Sequence, residues 1–462
     1  MNQDTICAVS TAPGVGGVAV IRVSGPKAIE ICDQIFKPFK AGNHLANRKA
    51  YSLTYGNIVN ENGENLDDVV VALFRAPHSF TAEDTVEITC HGSIYIQQQI
   101  LQLLIKKGCR TATAGEFTQR AFLNGRMDLS QAEAVADLIA STSAATHKLA
   151  MNQMRGAFSN ELVTLRAELL NLTSLIELEL DFSEEEVEFA DRQQLRDLAD
   201  RIHTLISKLS NSFSVGNAIK NGIPVAIIGE TNAGKSTLLN VLLKEERAIV
   251  SDIHGTTRDV IEDTININGL TFRFIDTAGI RDTQDKIESM GIELAFRKLE
   301  QASIVLWMID STQSTAQIEE LASRILPKVT SQKLIMVFNK IDQISDAKRE
   351  QLNEMLPGPD RIFISARQRF NTDELESLLV KTANLPEIGN NDVIVTNVRH
   401  YEALCRALDA INRVRDGLQA NISGDFLSQD IRECMHYLGE ITGQISNDEI
   451  LGNIFLNFCI GK

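Results

Sequence analysis

A glycine-rich loop at residues 229–236 constrains the fold of this chain more than any other stretch. Its sequence, Gly-Glu-Thr-Asn-Ala-Gly-Lys-Ser, fits G-x-x-x-x-G-K-[ST], with an apolar run at 224–228 before it and a helix-like run at 237–243 after it. In a strand, loop and helix of this kind, backbone N–H groups and the positive end of the helix form a concavity for a polyphosphate. We therefore predict that Lys235 reaches the β- and γ-phosphates of a nucleotide and that Ser236 ligates Mg²⁺.

Strand-like and helix-like runs alternate around this loop, between residues 217 and 384. The strand-like runs lie at 225–228, 260–267, 270–275, 304–309, 334–338 and 362–364, and the helix-like runs at 236–244, 287–300, 315–325, 344–355 and 372–383. Asn268 and Gly269 favour a two-residue hairpin between the second and third strands. The other connections cross over through helices, so we predict a mostly parallel sheet with one antiparallel edge strand.

Three further motifs in this region resemble those of the Ras-like GTPases. Residues 276–279, Asp-Thr-Ala-Gly, place a carboxylate near the Mg²⁺ water shell and a glycine N–H near the γ-phosphate. Asp342, in Asn-Lys-Ile-Asp, matches the residue that accepts two hydrogen bonds from guanine, and adenine lacks that pair of donors. Residues 365–367, Ser-Ala-Arg, resemble the loop whose backbone N–H groups face the guanine carbonyl. The motifs together predict a nucleotide site selective for GTP.

The residue that promotes hydrolysis is not the usual glutamine. Ile280 stands where Ras-like enzymes have that glutamine, and isoleucine neither orients nor deprotonates water. Glu288 offers a carboxylate nearby, although a surface glutamate without a role is the other interpretation. Thr257 is the expected second hydroxyl ligand of Mg²⁺. Because no arginine finger is evident, the Asn232 side-chain carbonyl is a candidate ligand for a monovalent cation beside the phosphates.

Length, charge and cysteine usage limit the class of protein. A chain of 462 residues predicts about three domains. The net charge of −16 argues against non-specific coating of nucleic acid, so an RNA partner needs a local basic patch or docking by shape. No apolar run reaches the roughly 18–20 residues that span a bilayer, and no signal peptide is evident. Seven scattered cysteines favour reduced thiols, and we expect a cytoplasmic protein without a membrane partner.

The periodicity changes along the chain and predicts a multidomain protein of α/β and α parts. We predict an α+β domain at 1–118, helical segments at 119–216 and 385–462, and the nucleotide domain at 217–384 between them. The strand-like runs of the first domain lie at 5–9, 18–23, 51–59, 69–75 and 85–89. In the first helical segment, apolar residues three and four apart predict one helical stripe, formed by Leu162, Leu165, Leu169, Leu172 and Ile176, and a further helix is predicted from about 192 to 211. Two helical stretches on either side of a nucleotide domain suggest one discontinuous helical bundle with an inserted Ras-like P-loop domain.

Motifs spread over the whole chain closely resemble those of the MnmE (TrmE) family of tRNA-modification GTPases. They lie at residues 79–84, 115–125, 232–236 and 255–259, and in the final Phe-Cys-Ile-Gly-Lys at 458–462. A Cys-x-Gly-Lys sequence outside the nucleotide domain is hard to explain for a generic GTPase. The resemblance therefore extends beyond the nucleotide motifs.

The resemblance implies a fold, a reaction and partners. It implies an N-terminal domain that binds folate and dimerises, a discontinuous helical domain and an inserted GTPase domain activated by K⁺. It also implies joint action with MnmG (GidA), an FAD-dependent partner, on C5 of the wobble uridine of certain tRNAs. In that reaction 5-formyl- or methylene-tetrahydrofolate is the one-carbon cofactor, FAD belongs only to the partner, and a homodimer forms a heterotetramer with that partner.

The resemblance also assigns site residues. It gives Glu288 the catalytic role, Ser236 and Thr257 the Mg²⁺ ligands, and Cys459 a possible functional role. Its potassium positions are Asn232, Ser251, Ile253 and Thr256. Its folate positions are Arg22, Glu87, Arg126 and Lys462. The GTP-binding positions are Asn232, Ala233, Gly234, Lys235, Ser236, Thr237, Ser251, Asp252, Ile253, His254, Gly255, Thr256, Thr257, Asp276, Thr277, Ala278, Gly279, Asn339, Lys340, Asp342, Ser365, Ala366 and Arg367.

Two other functions and one other role stay open at this point. A ribosome-assembly or other RNA-associated regulatory GTPase shares the nucleotide motifs, but it predicts an appended basic RNA-binding module. A dynamin-like protein requires a basic or apolar membrane-facing segment, which is not evident in the sequence. Cys459 has apolar neighbours, so a buried small residue is the alternative to a functional thiol.

Overall fold

The computed structural model describes the chain as two compact units. The described residues are 4–40, 42–181, 192–246, 263–275, 301–329, 332–355, 358–385, 392–420, 422–445, 448–456, 458 and 461. The first unit is formed by Met1–Ile139, Gln153–Ile206 and Ala403–Lys462, and the second by Ala140–Asn152 and Ser207–Glu402. Within the described ranges, no helix has the length and apolarity to cross a membrane.

The first unit contains a seven-stranded sheet. Its strands are β1 (Thr5–Val9), β2 (Gly16–Ser24), β3 (Phe36–Pro38), β4 (Ser52–Val59), β5 (Asn65–Phe74), β6 (Thr85–Gly92) and β7 (Cys109–Thr111). They are ordered β3-β4-β5-β6-β2-β1-β7. All neighbours pair antiparallel except β1 and β7, which pair parallel. The sequence did not predict β3 and β7, because three-residue strands carry too little periodicity to be detected.

Alternation along the strands divides this sheet into two faces. Ile21 and Val23 of β2 belong to the main core of the unit, together with residues of the helices Ala28–Ile35 and Ile94–Lys106. Arg22 lies between them in the strand, so its side chain is directed to the opposite face.

Helices complete the first unit, and they come from segments before and after the nucleotide region. They are Glu116–Leu123, Leu129–Ala140, Ala157–Asp181, Gly424–Thr442 and Asp448–Leu456, with parts of Arg192–Asn221 and Val398–Gln419. The predicted stripe of Leu162, Leu165, Leu169, Leu172 and Ile176 is buried. Ala157–Asp181 packs against Gly424–Thr442, which confirms a helical bundle built from segments on both sides of the nucleotide region.

One helix extends further than predicted. The sequence indicated an end near residue 211, whereas the helix runs from Arg192 to Asn221. Ile219 is buried within the added turns. The Val395 carbonyl packs closely against Gly216, because a Cβ at that position would lie 2.0 Å from the Val395 oxygen. The helix ends immediately before Gly222, whose φ of +80° suits a terminating glycine. Gly216 is therefore a close-packing position inside the helix.

The second unit contains a six-stranded sheet of the predicted type. Its strands are β8 (Ile223–Gly229), β9 (Asp263–Ile267), β10 (Leu270–Phe274), β11 (Ile304–Asp310), β12 (Lys333–Asn339) and β13 (Asp360–Phe363), in the order β13-β12-β11-β8-β10-β9. Only β9, at the edge, pairs antiparallel, and this confirms the prediction. Asn268 and Gly269, both with positive φ, form the predicted hairpin turn.

Helices lie on both faces of this second sheet. They are Lys235–Glu246, Thr315–Ile325, Asp346–Glu354 and Thr372–Ala383. Two apolar clusters result, one including Leu238 and Leu375 and the other Ile318 and Leu352. This is a doubly wound α/β architecture, in which ligands bind beyond the carboxyl ends of the parallel strands. The predicted helix at 287–300 lies outside the described residues.

Candidate functional sites

The glycine-rich loop joins the carboxyl end of β8 to the helix Lys235–Glu246, as predicted. Gly234 has a φ of +99°, and a Cβ there would lie 2.2 Å from Nδ2 of Asn339. Asn232 also has a positive φ, of +65°. The tight backbone allows the start of the helix, which is the positive end of its dipole, to adjoin the loop.

Lys235 folds back across the loop that precedes it. Its Nζ donates to the carbonyl oxygens of Gly229 and Glu230, each at 2.7 Å. The ammonium group is therefore held beside the mouth of the loop by two backbone contacts. Ser236 and Thr237 occupy the next positions of the same helix, so three of the predicted nucleotide residues come from consecutive positions.

Asn339 connects the phosphate loop to the predicted base-binding loop. Its Nδ2 donates to the Ala233 carbonyl at 2.8 Å, and its Oδ1 accepts from the Ala366 backbone N–H at 3.0 Å. Asn339 is 4% exposed, so these hydrogen bonds satisfy an amide removed from water. The structure thus brings together three motifs that are far apart in sequence.

Asp342 and Ser365 lie together at the predicted base-binding edge. The Ser365 hydroxyl donates to Oδ1 of Asp342 at 2.7 Å. Ser365 and Phe370 exchange two backbone hydrogen bonds, which close the loop containing Ala366 and Arg367. An exposed carboxylate fixed by a serine is suited to accept hydrogen bonds from a planar base.

Lys340 pairs with Asp310 at the end of β11. Their Nζ and Oδ2 atoms are 2.5 Å apart, and Lys340 has a φ of +65°. Burial opposes ionisation of Asp310, but hydrogen bonds from Lys340 and Thr312 outweigh it and lower the pKa of this carboxyl group. The sequence did not indicate this ion pair, because Asp310 ends β11 whereas Lys340 follows β12.

Several predicted nucleotide residues lie outside the described residues. They are Ser251, Asp252, Ile253, His254, Gly255, Thr256, Thr257, Asp276, Thr277, Ala278, Gly279 and Glu288. Their roles stay predictions, as do those of Cys459 and Lys462, which also lie outside the described residues.

Arg22 and Glu87 form a second polar site, in the first unit. The two residues pair across β2 and β6, and both Nε and Nη2 of Arg22 lie 2.9 Å from Oε1 of Glu87. Two predicted folate positions are therefore in direct contact. Arg126, a third, is exposed, and its backbone N–H donates to the Ala121 carbonyl at the end of the helix Glu116–Leu123.

Gly461, in the final motif, lies against the end of β1. The Ser10 hydroxyl donates to the Gly461 carbonyl at 3.0 Å. Gly461 has a φ of +94°, and a Cβ there would lie 2.2 Å from the Val9 oxygen. Ala8, next to Val9, pairs with Arg22 across the sheet. Residues separated by more than 430 positions, from Arg22 to Gly461, thus belong to one region of the first unit.

Two family models match the chain. The model described as MnmE helical domain matches residues 129–459, which is more than half of the chain. The model described as GTP-binding protein TrmE N-terminus matches residues 5–126.

Curated relatives match along the full length. Proteins named tRNA modification GTPase MnmE from Bacteroides thetaiotaomicron and Bacteroides fragilis are 65% and 66% identical over 467 residues, with 100% of each chain covered. Among solved structures, Era from Aquifex aeolicus is 30% identical over 40% of this chain and 66% of its own, with a TM-score of 0.28. That score is too low to support the fold, so the family assignment depends on the sequence matches alone.

Proposed function

The chain belongs to the MnmE family of tRNA modification GTPases and is a GTP hydrolase, and from this membership we propose that it is activated by potassium and modifies C5 of the wobble uridine of certain tRNAs. The main support for the proposal is the 65–66% sequence identity, over the full length, to proteins named tRNA modification GTPase MnmE. The contact of Asn339 with both the phosphate loop and the base-binding loop supports GTP as the nucleotide.

The proposed hydrolysis uses residues of the phosphate loop and of the segments that follow it. Lys235 binds the phosphates, and Ser236 and Thr257 hold Mg²⁺, which neutralises charge on the phosphates when bound. Glu288 orients or deprotonates the attacking water, a task that Ile280 cannot perform. The remaining predicted GTP-binding residues surround the phosphates and the guanine base.

Potassium activation uses ligands at the phosphate loop and the segment after it. Asn232, Ser251, Ile253 and Thr256 hold K⁺, and the ion supplies positive charge that an arginine finger supplies in other GTPases. Of these four residues, Asn232 lies in the described part of the chain, where it occupies a left-handed turn of the phosphate loop with a φ of +65°.

We expect purified protein to hydrolyse GTP much faster in K⁺ than in Na⁺ at equal ionic strength, by about tenfold or more, because an arginine finger in this position is worth at least that much. The measurement is the steady-state rate of phosphate release in each salt. Equal rates in the two salts would remove potassium activation from the proposal.

The second site fits a reduced folate. Arg22 and Arg126 supply cations for its carboxylates or carbonyl groups, and Glu87 is an acceptor for N–H groups of a pterin. Lys462 adds a further cation. When bound, the folate supplies the methylene carbon of the reaction. We propose that Cys459 lies beside that carbon.

We expect two macromolecular partners beside tRNA, which are MnmG and a second copy of this chain. The FAD-dependent protein MnmG is the second component, and a homodimer of this chain forms a heterotetramer with it in the cytoplasm. The support for these partners is family membership alone.

The wobble nucleosides of cells that lack this chain test the tRNA part of the proposal. We expect the modified wobble uridine to fall below detection and the unmodified nucleoside to appear in its place. The measurement is liquid chromatography and mass spectrometry of digested tRNA, with the restored gene as the control. Unchanged wobble uridines in the deletion strain would refute the proposal.

A further inference from the structure

Two aromatic rings lie against the guanidinium of Arg22. The Cζ atom of Arg22 is 5.3 Å from the ring centroid of Phe80 and 5.6 Å from that of Phe117. Both distances are within the roughly 6 Å at which a cation over an aromatic face is stabilised. Glu87 binds Nε and Nη2, so its contacts leave the Nη1 donors available to another group. We call Phe80, Phe117 and Glu87 the Arg22 cradle.

The two rings belong to a small apolar cluster on the face of the sheet that carries Arg22. Phe117 is completely buried and packs with Ile6 and Ala8 of β1, and Phe80 packs against the same cluster. Alternation along β1 directs Ile6 and Ala8 to the opposite face from Cys7, which belongs to the main core. The position of the rings is therefore fixed by packing on the sheet as well as by their contact with the cation.

Charged and polar contacts join the two segments that carry the rings. Arg120 lies one turn beyond Phe117, and its side chain is 8% exposed. Its Nη1 is 3.2 Å from Oε1 of Glu83, which is three residues after Phe80. Arg120 also pairs with Asp4 at 2.7 Å. Asn124 donates to the Thr81 carbonyl at 2.8 Å. The loop at 79–84 and the helix Glu116–Leu123, which carry the two rings, are therefore held together.

Ser24 extends this network to the strand of Arg22 itself. Its hydroxyl donates to Oε2 of Glu83 at 2.7 Å and lies 2.7 Å from the Thr81 hydroxyl. Ser24 is buried and is two residues from Arg22, so the same strand positions both side chains. The Arg22 side chain is thus contacted by two rings and a carboxylate, and its strand is hydrogen-bonded to the loop that carries one of the rings. A surface ion pair does not require contacts of this number.

We propose that Phe80 and Phe117 are positioning residues that hold the Arg22 guanidinium in one orientation for a planar or carboxylate group of a reduced folate. This inference rests on the proposed folate function. A free arginine side chain loses rotamer entropy when it is fixed in one orientation. In the Arg22 cradle the side chain is largely fixed before the ligand binds. Binding therefore costs less side-chain entropy, and the affinity is higher.

The test is the affinity of the purified full-length protein for 5-formyl-tetrahydrofolate, measured by titration calorimetry. We expect Phe80→Leu and Phe117→Leu to raise the Kd about three- to tenfold, because each removes one ring from the cation. Phe80→Tyr retains the ring and should bind within about twofold of the wild type. Phe39→Leu, at an exposed ring in the same unit that contacts only Tyr55 among the described aromatic residues, is the matched control and should bind normally.

Thermal unfolding and GTP hydrolysis of each variant separate positioning from packing. We expect Phe80→Leu to change the Kd while its melting temperature and GTP hydrolysis rate stay close to those of the wild type. Wild-type affinity in Phe80→Leu would overturn the inference and leave the folate function intact. Equal weakening in Phe80→Leu and Phe80→Tyr would also overturn it, since the ring would then have no special role. Absence of binding by the wild type would overturn the folate function and the inference with it.

Discussion

Replacing Asp342 by asparagine is expected to lower the affinity for GTP by about 100- to 10,000-fold. The carboxylate is proposed to accept hydrogen bonds from N1 and N2 of guanine, and bonds to a charged acceptor contribute about 1.5–3 kcal/mol each. Every 1.4 kcal/mol corresponds to about a tenfold change in affinity. The amide also presents a donor toward the N2 amino group, which leaves two donors facing each other.

The same substitution should increase the affinity for xanthosine triphosphate. Xanthine has a carbonyl oxygen in place of the guanine amino group, so the amide can donate to that oxygen and accept from N1–H. Ser365 donates to Oδ1 of Asp342 at 2.7 Å, and the asparagine oxygen retains this acceptor, so the loop should keep its conformation.

Nucleotide affinities measured by fluorescence titration check this exchange of specificity. Asp346→Asn is the matched control, since Asp346 is an exposed aspartate in the same unit and begins a helix. The control should bind GTP normally. Normal GTP affinity in Asp342→Asn would show that Asp342 does not contact the base.

Replacing Gly461 by alanine is expected to lower the affinity for 5-formyl-tetrahydrofolate about tenfold or more. The glycine has a φ of +94°, and an alanine Cβ would lie 2.2 Å from the Val9 oxygen. A non-glycine residue in left-handed conformation costs roughly 1–2 kcal/mol before any clash is counted. The segment should therefore move off Val9 and Ser10, and Lys462 follows Gly461 directly in the chain.

Gly63→Ala is the matched control for this second substitution. Gly63 lies in the same unit with a φ of +79°, and a Cβ there would meet no atom within 4 Å. Both variants carry the backbone cost, but only Gly461→Ala carries the clash. We expect normal folate affinity in the control and normal GTP hydrolysis in both. Equal folate affinity in Gly461→Ala and the wild type would separate this segment from the folate site.

Local features of the sequence predicted the nucleotide unit well. The glycine loop between β8 and its helix and the turn at Asn268 and Gly269 depend on residues adjacent in the chain, so their chemistry was visible in the sequence. The helix Arg192–Asn221 continues beyond its predicted end near residue 211. Its added turns include the buried Ile219 and Gly216, which packs against Val395 from far along the chain, and such distant contacts are not visible in the local sequence.

Contacts between distant segments could not be predicted in the same way. Asn339 was expected to bind nucleotide, but its bridge from Ala233 to Ala366 depends on the order of strands in the sheet. Phe80 and Phe117 were part of motifs typical of the family, yet aromatic residues in such motifs are equally consistent with an ordinary core. Only the structure places both rings against Arg22.

The transfer of an isotope from folate to tRNA would show whether this chain brings a one-carbon unit to the wobble uridine. Purified chain, its FAD-dependent partner, unmodified tRNA, GTP, Mg²⁺, K⁺ and an amine donor, ammonium or glycine, would be incubated with tetrahydrofolate carrying a ¹³C one-carbon unit. Mass spectrometry of the digested tRNA would then locate the label. The account predicts one ¹³C atom in the C5 substituent of the wobble uridine, dependent on both proteins. A modified wobble uridine without the label would contradict it.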